Sequence, residues 1–476
     1  MHTDTALVSF KQYLTIMRKI VYTIGWIGSL IFLFSGCFEA EELIPTTGNK
    51  ATVVTFVTSD LIKTTVAVND TLNETVVLDV DVDGLKTTDM TKVNVSVNIP
   101  NNAQVDPAFV GPVDLSQPYR FEVVGVDGSR QAYVINARLR VTYQHRSLWK
   151  KTATELNFVN HNNSAVGFSG DYVVVHNRAG FSYHNISDGS KAGDMSWEGI
   201  DWNDLQNKVP LHMATDDAGN VVSSNFGTAV GHEIHMFWWE GVTAEPELLF
   251  TYVLDMPGTQ VGRKIYVRGD MRSHAYLYMG LSNANTFLQW EIRDGKVVSE
   301  TPRKVDYALD YTMGVQAKIV PIEVAENSNY FVARYEGTTA KVAITYMDGI
   351  TNTPIYQSEH HIQDVFHQWL GGGHAFDYAE MDGAYYIFML EQDPGSWMRE
   401  IYDIRKVMLR PNEINSIMDL VKFRVWNNWL EFPMDPNYAT NTNLTAEVKV
   451  RVAPDKQSGL VAFLCTNGGI ELWEIY

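Results

Sequence analysis

The chain has 476 residues, of which 45% are hydrophobic and 12% aromatic, and it carries a formal net charge of −19. This composition is that of a globular protein with room for two or three domains, far from that of disordered chains. The negative charge argues against a nucleic-acid partner, because phosphate binding requires a basic surface. With only two cysteines, Cys37 and Cys465, a disulfide framework and a zinc site of four cysteines are both excluded.

The first predicted element is a signal peptide. An apolar run from Val21 to Phe34 follows the basic residues Arg18 and Lys19. The run falls short of the roughly 20 residues that a membrane-spanning helix needs. It ends in Phe34-Ser-Gly-Cys37, which resembles a lipobox with Phe where Leu is usual. Residues 1–37 are therefore predicted to be a lipoprotein signal peptide with lipid attached at Cys37, and an uncleaved signal anchor is the alternative.

Residues 38–47 are predicted to be a tether. The acidic residues Glu39, Glu41 and Glu42 follow the lipobox. This stretch resembles the export signal that sends Bacteroidetes lipoproteins to the outer face of the outer membrane, although a solvated tether explains it equally well. Met17 resembles the natural start of the signal peptide, so either Met1 or Met17 is the true first residue.

Residues 48–145 are predicted to form an immunoglobulin-like β-sandwich. Segments such as Thr75–Val80 and Val93–Ile99 alternate polar with β-branched residues, which is typical of half-buried strands. Asp127-Gly128 lies between two further apolar segments and predicts a tight hairpin turn. Because helical periodicity is absent from this region, an all-β class is predicted.

One segment of this region also matches part of a calcium-binding motif. The run from Asp79 to Gly84, Asp-Val-Asp-Val-Asp-Gly, has the acidic spacing and the glycine of the first half of an EF-hand loop. Met90 stands where that loop requires a glutamate, and the intervening valines suit a strand better than a loop. A strand with its aspartates facing water is the favoured interpretation.

The remaining residues, 146–476, contain six repeats of an apolar strand, a turn and a second strand. The strand pairs begin at Asp171, Asn220, His274, Tyr330, Ala384 and Gly459. A repeat of roughly 40–50 residues built of four strands is typical of a β-propeller blade. The sixth repeat stops on its third strand at Tyr476, and segment 148–156 is predicted to supply the fourth strand, which leaves no open sheet edge. The sequence therefore predicts a six-bladed β-propeller.

Two motifs in the repeats suggest a binding site or a metal site, but each has a structural explanation. Arg268-Gly269-Asp270 spells the integrin-binding tripeptide, yet it follows a predicted innermost strand, where a Gly-Asp turn starts the next strand. The histidine cluster from His360 to His374 could hold a metal, but it lacks the His-Glu-x-x-His spacing, and an interblade loop is favoured. The sequence has no nucleophile elbow, no glycine-rich phosphate loop and no zinc signature. No catalytic residue, metal or cofactor is therefore predicted.

Tryptophans in loops are the candidate ligand contacts. In an up-and-down blade, the turns between the second and third strands and the connections between blades emerge on one face. The loops predicted to lie there carry Trp197, Trp202, Trp369, Trp397 and Trp429. An exposed Trp is normally avoided unless it binds something, and the apolar face of a sugar ring stacks well on an indole. Packing between blades is the alternative explanation for each of them.

These features together resemble Bacteroidetes surface lipoproteins of a domain-of-unknown-function family, DUF5018-like, with an immunoglobulin-like domain and a propeller. The resemblance rests on Phe34-Ser-Gly-Cys37, on the segment Val123–Val134 and on the blade repeats. It implies a lipid anchor in the outer membrane, exposure at the cell surface and a role in polysaccharide capture. It implies no residue-level active site.

Two functions follow from the sequence. The first is a non-catalytic binding protein, expected to be a monomer, which presents the loop-rich face of the propeller to a poly- or oligosaccharide or to a protein. The second is a glycan-active hydrolase or lyase with carboxylates at the propeller channel. A glycosidase pair is defined by the spatial separation of two carboxyl groups, so the sequence leaves this choice open.

Overall fold

The computed structural model describes twenty parts of the chain. These are residues 53–57, 64–67, 75–84, 88–141, 145–158, 165–177, 180–201, 210–261, 263–309, 312, 314, 316–333, 344–357, 375–381, 383–393, 396–403, 408, 424–429, 446–466 and 468–476. Cys37, the tether, Trp202, Trp369 and the histidine cluster lie outside the described residues. The chain divides into two compact units, Met1–Thr142 and Tyr143–Tyr476.

The first unit contains seven described strands in two sheets. They are β1 (Val53–Val57), β2 (Thr64–Ala67), β3 (Thr75–Gly84), β4 (Asn94–Asn98), β5 (Gln104–Asp106), β6 (Tyr119–Val124) and β7 (Arg130–Val141). One sheet has the order β2-β1-β4 and the other β3-β7-β6-β5. The β3 and β7 strands pair in parallel, whereas the other described pairs are antiparallel.

Both sheets of the first unit share one apolar core. Val95 of β4 lies in the same buried cluster as Leu78 of β3 and Phe121 of β6. The rings of Phe121 and Tyr133, which are paired across β6 and β7, stack with their centres 5.0 Å apart. Burial of such aromatic and aliphatic side chains contributes roughly 1.5–3 kcal/mol each. The predicted all-β class is therefore correct for this unit.

The strand predicted for the Asp79–Gly84 segment is confirmed, and the side chains of its aspartates lie outside the described part of the chain. The segment lies inside the ten-residue strand β3. Its alternate residues Val76, Leu78, Val80 and Val82 are buried in the core. Successive side chains of a strand point to opposite faces, so period-two burial of this kind is the mark of an extended chain and not of a loop around an ion.

The predicted Asp-Gly hairpin is also present, between β6 and β7. The Gly125 amide donates a hydrogen bond to the Ser129 carbonyl, and Gly128 has a φ of +81°. Such a positive φ costs glycine little, which explains why this residue ends the turn. Asp127 Oδ1 accepts hydrogen bonds from the Ser129 amide at 3.0 Å and from its hydroxyl at 2.6 Å.

The second unit begins with β8 (His145–Thr152), which is followed by the first three four-strand repeats. Sheet 1 contains β9 (Ala165–Ser169), β10 (Tyr172–Asn177), β11 (Gly180–Asn185) and β12 (Lys191–Asp194). Sheet 2 contains β13 (Pro210–Thr215), β14 (Val221–Asn225), β15 (Glu233–Trp239) and β16 (Glu247–Val253). Sheet 3 contains β17 (Ile265–Asp270), β18 (His274–Gly280), β19 (Thr286–Arg293), β20 (Lys296–Val297) and β21 (Arg303–Asp306).

Three further sheets complete the described part of this unit. Sheet 4 contains β22 (Lys318–Pro321), β23 (Tyr330–Ala333), β24 (Ile344–Met347) and β25 (Pro354–Gln357). Sheet 5 contains β26 (Ala375–Met381), β27 (Ala384–Asp393), β28 (Ser396–Asp403) and β29 (Arg424–Trp429). Sheet 6 contains β30 (Ala446–Val452), β31 (Gly459–Cys465), β32 (Gly469–Ile475) and β8.

The six sheets are arranged as a closed ring. The first strand of each sheet, which we call its inner strand, contacts the inner strands of the two neighbouring sheets, and β30 of sheet 6 contacts β9 of sheet 1. Apolar clusters fill the space between neighbouring sheets all the way round. The unit is therefore all-β and propeller-like, with one small antiparallel sheet for each sequence repeat.

Sheet 6 is built from both ends of the second unit. Strand β8 pairs antiparallel with β32, with Trp149 opposite Leu472 and His145 opposite Ile475. The Trp149 side chain is 8% exposed, and its indole N–H donates a hydrogen bond of 2.8 Å to the Ile186 carbonyl in sheet 1. The β8 strand thus completes one sheet and joins it to the next.

Cys465 is a buried thiol in β31. Within the described residues, no helix is long and apolar enough to cross a membrane.

We predict that Trp149→Ala lowers the free energy of unfolding by about 3–5 kcal/mol, because it leaves a cavity between sheets 6 and 1 and removes an interaction that joins them. Chemical denaturation measures this loss. The control is Arg146→Ala on the same strand, where an exposed ion pair with Glu474 predicts a loss below about 1 kcal/mol. Equal losses for the two variants would show that β8 packing does not stabilise the ring.

Candidate functional site

Polar side chains fill the middle of the ring in layers. Side chains two residues apart on a strand point to the same face. On β30 this alternation places Glu447, Lys449 and Arg451 at successive levels, and along β17 and its preceding residue it does the same for Lys264, Tyr266 and Arg268. The inner strands therefore bring charged groups from different sheets together along the centre of the ring.

The first layer is centred on the carboxylate of Glu447. Its Oε2 accepts a hydrogen bond of 2.8 Å from Lys264 Nζ, and its Oε1 accepts one of 2.6 Å from Lys318 Nζ. His212 Nε2 lies 3.5 Å from Glu447 Oε2. The Lys264 ammonium also donates to the Ala446 carbonyl at 2.8 Å. The four side chains of this layer are each at most 4% exposed, so they form a dry ionic cluster.

Burial and charge act against each other in this layer. Burial by itself raises the pKa of Glu447, but the attraction of Lys264 and Lys318 outweighs it and holds the pKa below its usual value. Burial lowers the pKa of Lys264, against the attraction of Glu447. Burial, aided by the positive charge of Lys264, holds the pKa of His212 well below its usual value. His212 is therefore neutral near pH 7, and Glu447 is ionised.

The second layer contains Asp377 and Tyr266. The Tyr266 hydroxyl donates a hydrogen bond of 2.8 Å to Asp377 Oδ1, and the Val450 amide donates one of 2.9 Å to Asp377 Oδ2. Arg268 Nη2 in turn donates to the Tyr266 hydroxyl at 2.9 Å. Lys449 Nζ lies 4.8 Å from the centre of the Tyr266 ring, in a cation–π contact. Burial, more than any neighbouring charge, raises the pKa of Tyr266 well above its usual value, so its phenol stays protonated.

A cavity of about 550 Å³ opens next to the second layer, where the inner strands end and turn back into the second strands. We call it the hairpin-end cavity. All six sheets contribute to its wall. The lining residues are Phe168, Gly170, Thr215–Gly219, Arg268, Ile322–Val324, Tyr378–Glu380, Lys449–Pro454 and Lys456. Ligand pockets typically have volumes of roughly 300–1,000 Å³, so this cavity is of ligand-binding size.

Most charged side chains of the wall are held by other protein groups. Asp217 Oδ2 accepts from the Gly269 amide at 2.8 Å, and its Oδ1 lies 3.3 Å from Arg268 Nη1. Lys456 Nζ lies 3.1 Å from Glu380 Oε2. The Arg451 guanidinium donates to the Gly170 carbonyl. These contacts fix the shape of the wall in advance of any ligand.

Asp216 is buried beside the cavity and supports the turn after β13. Its Oδ1 accepts from the amides of Ala218 and Asn220 at 2.9 and 2.8 Å, and its Oδ2 accepts from the Met271 amide of sheet 3 at 2.8 Å. Burial raises its pKa, although these hydrogen bonds lower it in part. Asp216 therefore has a positioning role, since its oxygens are already occupied.

The Arg268-Gly269-Asp270 tripeptide is structural, as the sequence analysis predicts. Gly269 has a φ of +104°, and a Cβ there would lie 2.4 Å from the His274 carbonyl oxygen. Arg268 Nε donates to the Pro321 carbonyl of sheet 4 at 3.0 Å. Asp270 Oδ1 accepts from Asn220 Nδ2 at 3.1 Å. The three residues therefore join sheets 2, 3 and 4 at the edge of the cavity.

Trp197 is the one predicted tryptophan contact whose side chain is described, and it does not line the hairpin-end cavity. Trp197 is half-buried, and its ring centre lies 4.7 Å from that of Phe181 and 5.8 Å from that of Trp239, in the apolar cluster between sheets 1 and 2. Trp397 lies in β28 and Trp429 in β29. Their side chains, together with Trp202 and Trp369, fall outside the described part of the chain, so their role as ligand contacts stays a prediction.

Sequence analysis missed the charged inner-strand residues. The segment Glu447-Val-Lys449-Val-Arg451 alternates in the way that predicts a strand with one wet face. The polar face points into the ring and not to bulk water. The place of this segment in the repeat could have identified it. Each strand that precedes a predicted strand pair is an inner strand, so its charged residues point into the ring. Across the described residues, no group of three or more His, Cys, Asp or Glu side chains could hold a metal ion.

We predict that Glu447→Gln lowers the free energy of unfolding by about 3–5 kcal/mol, because it leaves the buried Lys264 and Lys318 ammonium groups without a counter-charge. The matched control is Glu474→Gln on the same sheet, where the ion pair is partly exposed and a loss below about 1 kcal/mol is expected. Chemical denaturation measures both. A loss for Glu447→Gln as small as that of the control would mean that the cluster does not stabilise the ring.

No protein-family model matches the chain, and no curated protein matches it. Among solved structures, a DUF4623 family protein from Bacteroides eggerthii is similar, with a TM-score of 0.50 and 12% identity over 90% of this chain and 98% of that one. An exo-1,5-alpha-L-arabinanase from a bovine ruminal metagenomic library matches with a TM-score of 0.34 and 12% identity over 51% of this chain and 95% of that one. The WD40 domain of Toxoplasma gondii coronin matches with a TM-score of 0.33 and 9% identity over 91% and 87%. The chain thus shares its all-β, propeller-like fold with a Bacteroides protein of a domain-of-unknown-function family.

Proposed function

We propose that this protein is a non-catalytic binding protein of the bacterial cell surface, anchored in the outer membrane by lipid on Cys37. In this proposal the first unit is an immunoglobulin-like spacer, and the second is a six-bladed β-propeller that binds a glycan. The lipobox-like Phe34-Ser-Gly-Cys37 supports the anchor. The shared core of the two sheets supports the spacer, and the closed ring of six sheets supports the propeller. We also propose that the protein is a lipoprotein of the DUF5018-like kind.

The hairpin-end cavity carries the proposal. It is of ligand size, all six sheets contribute to it, and its charged wall is held in place by internal hydrogen bonds. A rigid cavity binds without the cost of ordering its side chains. Its wall offers carboxylate, guanidinium and ammonium groups, which can hydrogen-bond the hydroxyls of a sugar. This site differs from the tryptophan-bearing face that the sequence suggests, and it lies at the other end of the inner strands.

The state of the wall carboxylates favours binding over catalysis. Glycoside hydrolysis needs two carboxyl groups at a set separation, one of them free to transfer a proton. Four carboxylates of the described residues line the cavity, and three of them, those of Asp216, Asp217 and Glu380, are engaged with protein donors. Within this described lining, Glu323 is the one carboxylate without a protein donor. One available carboxylate does not make a catalytic pair, although it can accept hydrogen bonds from sugar hydroxyls.

A steric block tests the location of the site. Ala218 is exposed and lines the cavity, so Ala218→Trp should fill the entrance without disturbing the core. We expect this variant to lose binding to the glycans that the unaltered protein binds on a glycan array. Ala229→Trp is the control, because Ala229 is an exposed residue of the turn at the opposite end of the same sheet. It should bind as the unaltered protein does.

Each other result of this experiment has a definite meaning. Loss of binding in Ala229→Trp alone would move the site to the tryptophan-bearing face and contradict the cavity. If the unaltered protein bound no poly- or oligosaccharide at all, glycan binding itself would be refuted. Release of reducing ends from a bound glycan would identify a hydrolase or lyase in place of a binding protein.

The lipid anchor has its own test. We expect the full chain to partition into the membrane fraction of the expressing bacterium and to carry lipid detectable by mass spectrometry of the mature N-terminus. Cys37→Ser should abolish the lipid, because serine has no thiol for the thioether bond. Cys465→Ser is the control, since that thiol is buried in β31 and should leave the lipid in place. Lipid retained in Cys37→Ser would contradict the proposed anchor.

A further inference from the structure

Lys449 is a buried cation that lines the hairpin-end cavity, and its ammonium group donates no hydrogen bond to any residue that the structure describes. It is 8% exposed. The nearest carboxylate oxygen in the described residues is Asp377 Oδ2, at 4.0 Å, which is beyond hydrogen-bond distance. The other contact of its Nζ is with the face of the Tyr266 ring, 4.8 Å from the centre. An ammonium group has three N–H donors, so Lys449 can accommodate an acceptor from outside the protein.

The nearest anion is already satisfied by other groups. Asp377 accepts hydrogen bonds from the Tyr266 hydroxyl and from the backbone amides of Tyr378 and Val450, at 2.8, 2.9 and 2.9 Å. These donors fix the carboxylate away from the Lys449 ammonium. An ammonium group that faces a carboxylate without donating to it keeps its three N–H donors for other acceptors. An anion that enters the cavity can therefore reach Lys449 and accept a hydrogen bond from it.

The charges of the two layers beside the cavity also favour an anionic ligand. In the described part of these two layers, three ammonium groups face two carboxylates: Lys264, Lys318 and Lys449 against Glu447 and Asp377. Lys264 and Lys318 both pair with Glu447, Lys449 lies 4.0 Å from Asp377, and the Arg268 guanidinium of the second layer pairs with Asp217. The two layers therefore carry one more ammonium group than carboxylates, and Lys449 is the ammonium group that lines the cavity. A single negative charge on a ligand would balance this excess.

The cavity rim limits which anion fits. Asp217, Glu323 and Glu380 line the same cavity. Their negative charges repel a dianion such as a phosphate ester, whereas their oxygens can accept hydrogen bonds from neutral hydroxyls. A ligand with one carboxylate and several hydroxyl groups matches both parts of the cavity. Acidic sugars, the uronic acids, have this combination.

We propose that the hairpin-end cavity binds a uronic acid residue, whose carboxylate is received by the ammonium group of Lys449 and whose hydroxyls face the rim carboxylates. The inference rests on the proposed function and names its class of ligand. The glycan is then an acidic polysaccharide or an oligosaccharide derived from one. Hydrogen bonds to a charged group contribute about 1.5–3 kcal/mol, which corresponds to roughly tenfold or more in affinity.

Isothermal titration calorimetry of the full chain in detergent tests the proposal. The probes are galacturonate and glucuronate oligosaccharides, their neutral galactose and glucose counterparts, and acetate and inorganic phosphate as simple anions. We expect acidic oligosaccharides to bind at least tenfold more tightly than neutral ones and than either simple anion. Their affinity should fall as salt rises, because the added interaction is ionic.

Substitutions assign this preference to a residue. Lys449→Met should remove the preference for acidic over neutral oligosaccharides, and Lys449→Gln is the second variant if the first does not fold. Lys304→Met is the control, since its ammonium is paired with Asp255 at 2.6 Å and the residue does not line the cavity. It should leave the preference within about twofold.

The outcomes separate this inference from the proposed function. Neutral and acidic oligosaccharides that bind equally, in a manner blocked by Ala218→Trp, would refute the uronic acid proposal and leave glycan binding intact. An acidic preference that survives in a folded Lys449 variant would also refute it. Simple anions that bind as tightly as the oligosaccharides would reduce the site to a general anion site. Absence of binding by every saccharide would refute both proposals.

Discussion

The charge cluster around Glu447 is the interaction on which the ring depends. Six inner strands cannot contact one another across the centre, so long side chains must fill the gap. Lys264 of sheet 3 and Lys318 of sheet 4 reach Glu447 of sheet 6, and Lys318 also donates to the Phe376 carbonyl of sheet 5 at 2.6 Å. Removing such charges from water costs several kcal/mol per ion, and the cost is offset only when each is paired and hydrogen-bonded. The cluster meets this condition and links sheets that are not neighbours.

The alternation of side chains that builds the Glu447 cluster also determines where the cavity lies. From Glu447 the chain of β30 continues to Lys449 and Arg451, each one level closer to the hairpin end. Hydrophobic residues on the opposite face of the strand, such as Val448, lie in the clusters between sheets. The packing of the blades thus holds the polar face in register, and the ionic layer closes the cavity from beneath. The site needs no loop of its own, because its base belongs to the most buried strands of the unit.

Much of the fold could be predicted from the sequence, and less of the site. The six strand pairs, the Asp127-Gly128 turn and the structural role of Arg268-Gly269-Asp270 follow from local chemistry that tertiary packing does not override. The site depends instead on the direction in which the polar face of an inner strand points. An alternating segment such as Glu447–Arg451 has the same pattern whether its charges meet bulk water or the centre of a ring. Likewise, a loop Trp such as Trp197 can bind a sugar or pack against Phe181, and only the position of the neighbouring sheet decides between them.

The pairing of β8 with β32 determines when the ring can form. Arg146 and Glu474, which form an ion pair across these strands, are 328 residues apart in the chain. Sheet 6 therefore stays incomplete until β32 has been synthesised, after the strands of the other five sheets. Contacts so distant in sequence form slowly, because the entropy of closing a long loop is lost before they are gained. At this strand pair the ring is closed by hydrogen bonds and apolar packing between β8 and β32, the first and last described strands of the second unit.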